Sequence, residues 1–146
     1  MNYRKIITKK TGIFIVLLLS LTCLSPVISS NEISDTVLEI SSIKGGLGSV
    51  SADIKNIGNE VAEDIVIIIS VNGGIFGNID VLKECSGCSS CGTTLAPGAI
   101  KTESTLEATF IIGLGSVDIT VTSSASNADE ISQSVKGTVL GPLIII

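Results

Sequence analysis

Residues 65–71 read IVIIISV, residues 72–74 NGG, and residues 75–81 IFGNIDV. Two runs rich in branched aliphatic side chains, joined by Asn72-Gly73-Gly74, form a strong hairpin signal. The first run is apolar on both faces until Ser70. A strand of that kind is expected at the centre of a sheet, with its outer face partly covered by a loop or by long neighbouring side chains. The competing reading is an exposed apolar patch that docks a partner.

The sequence on either side continues the strand pattern. Ile, Val and Thr make up 48 of the 146 residues, and such side chains suit a pleated, half-buried surface. Strict alternation marks three further strands. In 49–55, Val50, Ala52 and Ile54 oppose Ser51, Asp53 and Lys55. In 101–112, Leu106, Ala108, Phe110 and Ile112 oppose Lys101, Glu103, Thr105, Glu107 and Thr109. In 116–122, Val117, Ile119 and Val121 oppose Asp118, Thr120 and Thr122. Residues 37–43 and 131–140 read as strands less cleanly. Turn signals separate the runs: Gly45-Gly46-Leu47-Gly48, Asn56-Ile57-Gly58-Asn59, Ala96-Pro97-Gly98 and Gly113-Leu114-Gly115. Neither glycine-rich turn leads into a helix or a Gly-Lys-Ser/Thr run, so neither is a phosphate loop. About seven strands at this spacing predict an all-β fold, an immunoglobulin-like antiparallel β-sandwich. The buried Trp and the Cys pair of antibody domains are absent. The closing residues, Leu140-Gly-Pro-Leu-Ile-Ile-Ile146, are too few to span a bilayer. They read as the end of the last strand or as a self-association segment.

Charge divides the chain. The formal net charge is −5. Residues 1–30 hold four of the nine basic residues and none of the acidic ones, so residues 31–146 carry a formal charge of −9. Residues 1–10 (MNYRKIITKK) are basic, residues 12–24 (GIFIVLLLSLTCL) almost wholly apolar, and Pro26 with Ser29 and Ser30 follows. That order predicts a secretory signal peptide cleaved after Ser29 or Ser30. An uncleaved anchor helix over 11–28 is the alternative, at the low edge of a membrane span. Ser20 and Thr22 stand where a lipid-modified Cys23 would want Leu and a small residue. The expected organisation is a signal or anchor segment over 1–30 and one sandwich domain over 31–146, located outside the cytoplasm at the cell surface. Membrane contact is expected only through residues 11–28.

Composition excludes several function classes. With no His, Ser-His and Cys-His catalysis and imidazole metal ligation are out. The acidic balance and scarcity of aromatic residues argue against nucleic-acid binding. Only Phe76 and Phe110 are available for stacking on a sugar, and Phe110 belongs to the inward set. Glu60, Glu63 and Asp64 lack the spacing of a calcium loop and read as solvated surface.

Cys85-Ser-Gly-Cys88-Ser-Ser-Cys91 is the one unusual chemical run. Its two-residue spacers resemble the start of a ferredoxin-type cluster motif, but the fourth Cys is missing and no His replaces it. Glu84 would be a weak extra ligand. In an exported chain the thiols favour disulfides, so Cys85, Cys88 and Cys91 are disulfide candidates. Pairing between molecules and metal ligation by the same three residues are the alternatives. No metal and no cofactor is expected.

The string from Ala52 to Ala62, followed by Ile65–Val71, Gly73-Gly74 and Leu95-Ala-Pro-Gly98, resembles the CARDB-type (cell adhesion related) domain. Residues 113–122 and the Val139-Leu-Gly-Pro142 ending are similar to a variant found in prokaryotic, especially archaeal, surface proteins. The likeness spans about residues 37–142. It implies an immunoglobulin-like, non-catalytic extracellular module with no catalytic set, and the Cys run is not part of its pattern. The expected function is therefore a structural or adhesion module, not an enzyme, that binds a protein partner or copies of itself. The alternative is a redox or metal-handling protein using Cys85, Cys88 and Cys91.

Overall fold

The computed structural model describes residues 35–86 and 93–146. The chain divides into two units, Met1–Glu32 and Ile33–Ile146, and the described residues lie in the second. The expected signal or anchor helix therefore falls outside the described residues, as do Cys88 and Cys91.

The described residues form ten strands. β1 (Leu38–Gly45), β2 (Val50–Asn56) and β7 (Ile100–Ser104) make a three-stranded sheet in the order β1-β2-β7. β4 (Val66–Gly73), β5 (Ile79–Cys85), β8 (Gly113–Ala125), β9 (Ala128–Gly141) and β10 (Leu143–Ile145) make a five-stranded sheet in the order β10-β9-β8-β4-β5. β3 (Ala62–Glu63) pairs with β6 (Thr94–Leu95) as a small third sheet. Every pairing is antiparallel. Seven strands have five or more residues, matching the expected number, and β3, β6 and β10 are short additions.

Period-two patterning explains how the two large sheets meet. Val50, Ala52 and Ile54 of β2, Ile67, Ile69 and Val71 of β4, and Val117, Ile119 and Val121 of β8 are all buried in one cluster. The inward faces of both sheets thus share one aliphatic core with no aromatic ring in it. Burying an Ile or Val side chain fully is worth about 1.5–3 kcal/mol, so stability rests on many such residues rather than on a few rings. β4 lies between β8 and β5. Its outward Val66, Ile68 and Ser70 are half-buried, with Thr122 and Glu84 flanking Ile68. The both-faces-apolar run is therefore a central strand shielded by its neighbours.

Three expectations need correction. Residues 101–112 are not one strand with Phe110 and Ile112 inward. β7 ends at Ser104, a single 3-10 turn follows at Thr105–Glu107, and the phase resets. Glu103, Thr105 and Ile111 are the buried residues, whereas Phe110 and Ile112 are exposed. The inversion is possible because the inward polar groups have partners. The Val50 N–H donates to Thr105 Oγ1 at 3.0 Å, and Lys101 Nζ lies 3.2 Å from Glu103 Oε1. Second, Gly113-Leu114-Gly115 is not a turn but the start of β8, paired with Gly141, Leu140 and Val139. Third, β5 starts at Ile79, not Ile75, so the hairpin loop is longer than Asn72-Gly73-Gly74 predicts and includes a 3-10 turn at Ile75–Gly77.

The tail is a strand. β10 folds back on β9, Ile144 is buried, and Leu143 and Ile145 face outward.

Asp53 links the three strands of the smaller sheet on its solvent side. Lys44 Nζ lies 2.8 Å from its Oδ2, and Thr102 Oγ1 donates to its Oδ1 at 2.6 Å. The Lys44 contact, then the Thr102 hydrogen bond, holds its carboxyl below the ordinary value of 3.8. A carboxyl depressed in the folded state stabilises fully above its unfolded pKa and loses that contribution as pH falls through the folded one. Asp53→Asn is therefore expected to lower the urea midpoint at pH 7. The difference from wild type should shrink steadily below pH 3.8. A deficit that persists unchanged in acid would show that the charge is not the cause.

Candidate functional site

Four segments converge at one end of the sandwich: the β1–β2 turn (46–49), the β4–β5 loop (74–78), residues 108–112 leading into β8, and the β9–β10 turn. The Ile111 N–H donates to the Gly48 carbonyl at 2.8 Å, Ile144 N–H to Gly46 at 3.0 Å, and Gly74 N–H to Ser116 at 2.8 Å. These backbone bonds tie each segment to the scaffold.

Two glycines make the close approaches possible. At Gly48 (φ +67°) a Cβ would lie 2.2 Å from the Phe110 ring, so the ring rests on bare backbone. At Gly115 (φ +111°) a Cβ would lie 2.8 Å from the Ile75 nitrogen. The absence of a side chain there lets the 74–76 backbone cross β8. Both backbones also occupy the left-handed half of conformational space, which favours glycine.

What these segments display is apolar. Leu114 pairs with Leu140, Leu140 with Leu143, and Leu143 bridges to Leu47. All four are exposed. Beside them, Ile75, Phe76, Ile112 and Leu114 line a shallow, open cleft of about 580 Å³, with Gly113 and Gly141 also on its wall and Asn78 as its polar side chain. Phe76 is 100% exposed and Ile112 67%. Phe76 also has φ 67°, a conformation that is a genuine outlier for a bulky residue. Holding it costs about 1–3 kcal/mol, and the Gly77 N–H, which donates to the Gly74 carbonyl at 3.1 Å, closes the turn around it.

The opposite end differs. Cys85 ends β5 and pairs with Ile67, whereas β5 begins opposite Gly73 beside the apolar loop. The length of the strand therefore separates Cys85 from Phe76. Cys85 is buried, its sulfur lies 3.3 Å from Glu103 Oε1, and it is not a free titrating thiol. Among the described residues no group of three or more His, Cys, Asp or Glu could hold a metal ion, and no helix is long and apolar enough to cross a membrane. A cavity of about 350 Å³ at that end has a mixed lining that includes Asp35, Thr36, Asn127 and Asp129 beside Val37, Leu38 and Ile131. Asn127 is already used structurally: its amide donates to Thr36 Oγ1 at 3.0 Å and to the Val61 carbonyl at 2.8 Å, and its oxygen accepts from the Glu63 N–H.

The sequence pointed to the cysteines and, through Leu140–Ile146, to one part of the apolar end, but not to Leu47, Phe76, Ile112 and Leu114. A usable signal was present. Leu47 sits within Gly-Gly-Leu-Gly, Ile75 and Phe76 follow Gly73-Gly74, and Leu143 follows Gly141-Pro142. Turns run over the surface, so large apolar residues set in glycine-rich turns are exposed more often than buried.

No protein-family model matches this sequence, and neither does any curated protein. Among solved structures, a β-glucosidase from Erythrobacter marinus superposes on 72% of this chain with a TM-score of 0.39 and 13% identity, over 16% of its own length. A likeness that slight carries no argument about what this chain does.

Proposed function

We propose that this chain is a non-catalytic, immunoglobulin-like module of the CARDB type. In this reading it is exported by residues 1–30 and works at the cell surface by binding a protein partner or copies of itself through its apolar end. The observation that carries the reading is the cluster of exposed apolar side chains around the strained, fully exposed Phe76. Exposed apolar surface of this kind is a mark of association, and aromatic side chains, Phe included, are enriched in the cores of interfaces. Strand order supports the immunoglobulin-like assignment. The β1-β2-β7 and β9-β8-β4-β5 groupings correspond to the A-B-E and G-F-C-C′ groupings of such sandwiches. A disulfide between Cys85 and Cys88 or Cys91 would stiffen the far end without taking part in binding.

The test is capture of native cell-envelope material on full-length protein. Phe76→Ser combined with Leu114→Ser is expected to reduce capture at least tenfold. Replacing Cys85, Cys88 and Cys91 together by Ser should leave capture largely intact. If the cysteine variant loses capture and the apolar variant keeps it, the redox or metal-handling reading takes its place.

A further inference from the structure

We propose that the occupant of the apolar end is the same end of a second copy, joined in a two-fold arrangement in which Phe76 of each molecule enters the cleft of the other. The inference rests on the association reading above and names the partner.

Shape is the first argument. A projecting ring and an open apolar cleft lie side by side, with Phe76 on the rim of a space bounded by Ile75, Ile112 and Leu114. A two-fold axis between ring and cleft satisfies both at once, because an isologous interface puts the same patch on each side. Burial of the ring would add to what the Gly77 N–H to Gly74 carbonyl bond at 3.1 Å contributes in holding Phe76 at positive φ.

Charge is the second argument. The side chains lining the cleft are uncharged, with the exposed Asp80 close by beside Ile112, while residues 31–146 carry −9. Contact through this end keeps the acidic bodies of two molecules apart, and separations beyond the Debye length of about 8 Å are largely screened. A bilayer fits less well, since surfaces that dock on anionic lipid combine apolar residues with Lys or Arg. Among the described residues Lys44, Lys83, Lys101 and Lys136 are each held by a carboxylate. Lys55, paired with Glu39 and Ile100, lies toward the other end of β2. The patch is smaller than the roughly 20–30 residues a side of a standard interface, so the dimer is weak and concentration-dependent.

The chain has no Trp, so Phe76→Trp places one fluorophore at the proposed contact. As full-length protein is concentrated from ~1 μM to ~1 mM, the range of weak association, the emission is expected to shift to shorter wavelength as the indole is buried. Adding Leu114→Ser, at an exposed site that should not unfold the protein, is expected to raise the dissociation constant at least tenfold. Emission unchanged across that range overturns the proposal. So does association detected by sedimentation without a Trp shift, which would place the contact elsewhere. A shift on neutral or anionic phospholipid vesicles at concentrations too low for self-association would replace the second copy by a bilayer. If the probe reports no self-association yet Phe76→Ser with Leu114→Ser still abolishes envelope capture, the second copy is the wrong occupant and the module reading survives. If capture is also unchanged, both fail.

Discussion

Ile119→Ala is expected to destabilise the domain by about 4 kcal/mol, whereas Ile112→Ala should stay within about 0.5 kcal/mol of wild type. Ile119 is fully buried in β8, the middle strand of the five-stranded sheet. Its neighbours in register are Val71 on β4 and Val135 on β9. Removing three carbons there forfeits transfer energy and leaves a cavity, because strands on both sides prevent the site from collapsing. For a domain of this size such a loss lowers the melting temperature by about 15 °C or more, readable by calorimetry or circular dichroism. Ile112 makes the contrast sharp. The residue type is the same and the alternation in the sequence points it inward, yet it is 67% exposed. Equal losses for the two variants would mean that the phase of residues 108–112 is wrong.

Asn56→Ala is expected to cost about 3 kcal/mol, measured by urea denaturation at neutral pH. Asn56 is fully buried at the end of β2. Its amide donates to the Glu60 carbonyl at 2.7 Å and to the Leu95 carbonyl at 2.9 Å, and its oxygen accepts from the Gly58 N–H at 3.0 Å. One side chain thus holds the turn after β2 and ties it to β6, which itself pairs with β3. Truncation leaves backbone groups without partners, each worth about 1–3 kcal/mol when shielded from water. Glu60 is exposed, so water can reach its carbonyl, and the cost falls mainly on Leu95 and Gly58. Asn56→Asp is the informative companion. It keeps the acceptor for Gly58 but removes both donors and buries a charge, so it should be no better than Ala at pH 7. A loss under 1 kcal/mol for Ala would show that the turn re-pairs without it.

The sequence spoke clearly wherever burial on one face was the only requirement. In 49–55 and 116–122 every second residue is aliphatic, and each of those residues is buried. The both-faces-apolar run at 65–71 was legible as a central strand for the same reason. Legibility failed where polar residues occupy inward positions. Nothing local signals that Thr105, fully buried, accepts a hydrogen bond from Val50, 55 residues earlier. Nor does it signal that Glu103 lies against Lys101 and the Cys85 sulfur. With those two read as outward, parity points Leu106, Phe110 and Ile112 inward, although all three are exposed.

Glycine-rich segments divide in the same way. Gly46 to Gly48 lies in a turn because the chain must reverse between two antiparallel neighbours, with Gly45 closing β1 opposite Val50. Gly113 and Gly115 look alike in composition yet belong to a strand, since what they admit is not a reversal but close neighbours, the Ile79 side chain at Gly113 and the backbone of Gly74 and Ile75 at Gly115. Composition cannot distinguish the two uses.

The sequence by itself determined an all-β domain, its main strands, its aliphatic core and the absence of imidazole chemistry. These follow from side-chain branching and a period of two, which act within a few residues. Tertiary structure decided which large apolar residues remain outside. Whether Phe76, Ile112 or Leu114 is covered depends on which loops meet at one end of the sandwich. That meeting is set by contacts between residues far apart in the chain, where local pattern has no influence.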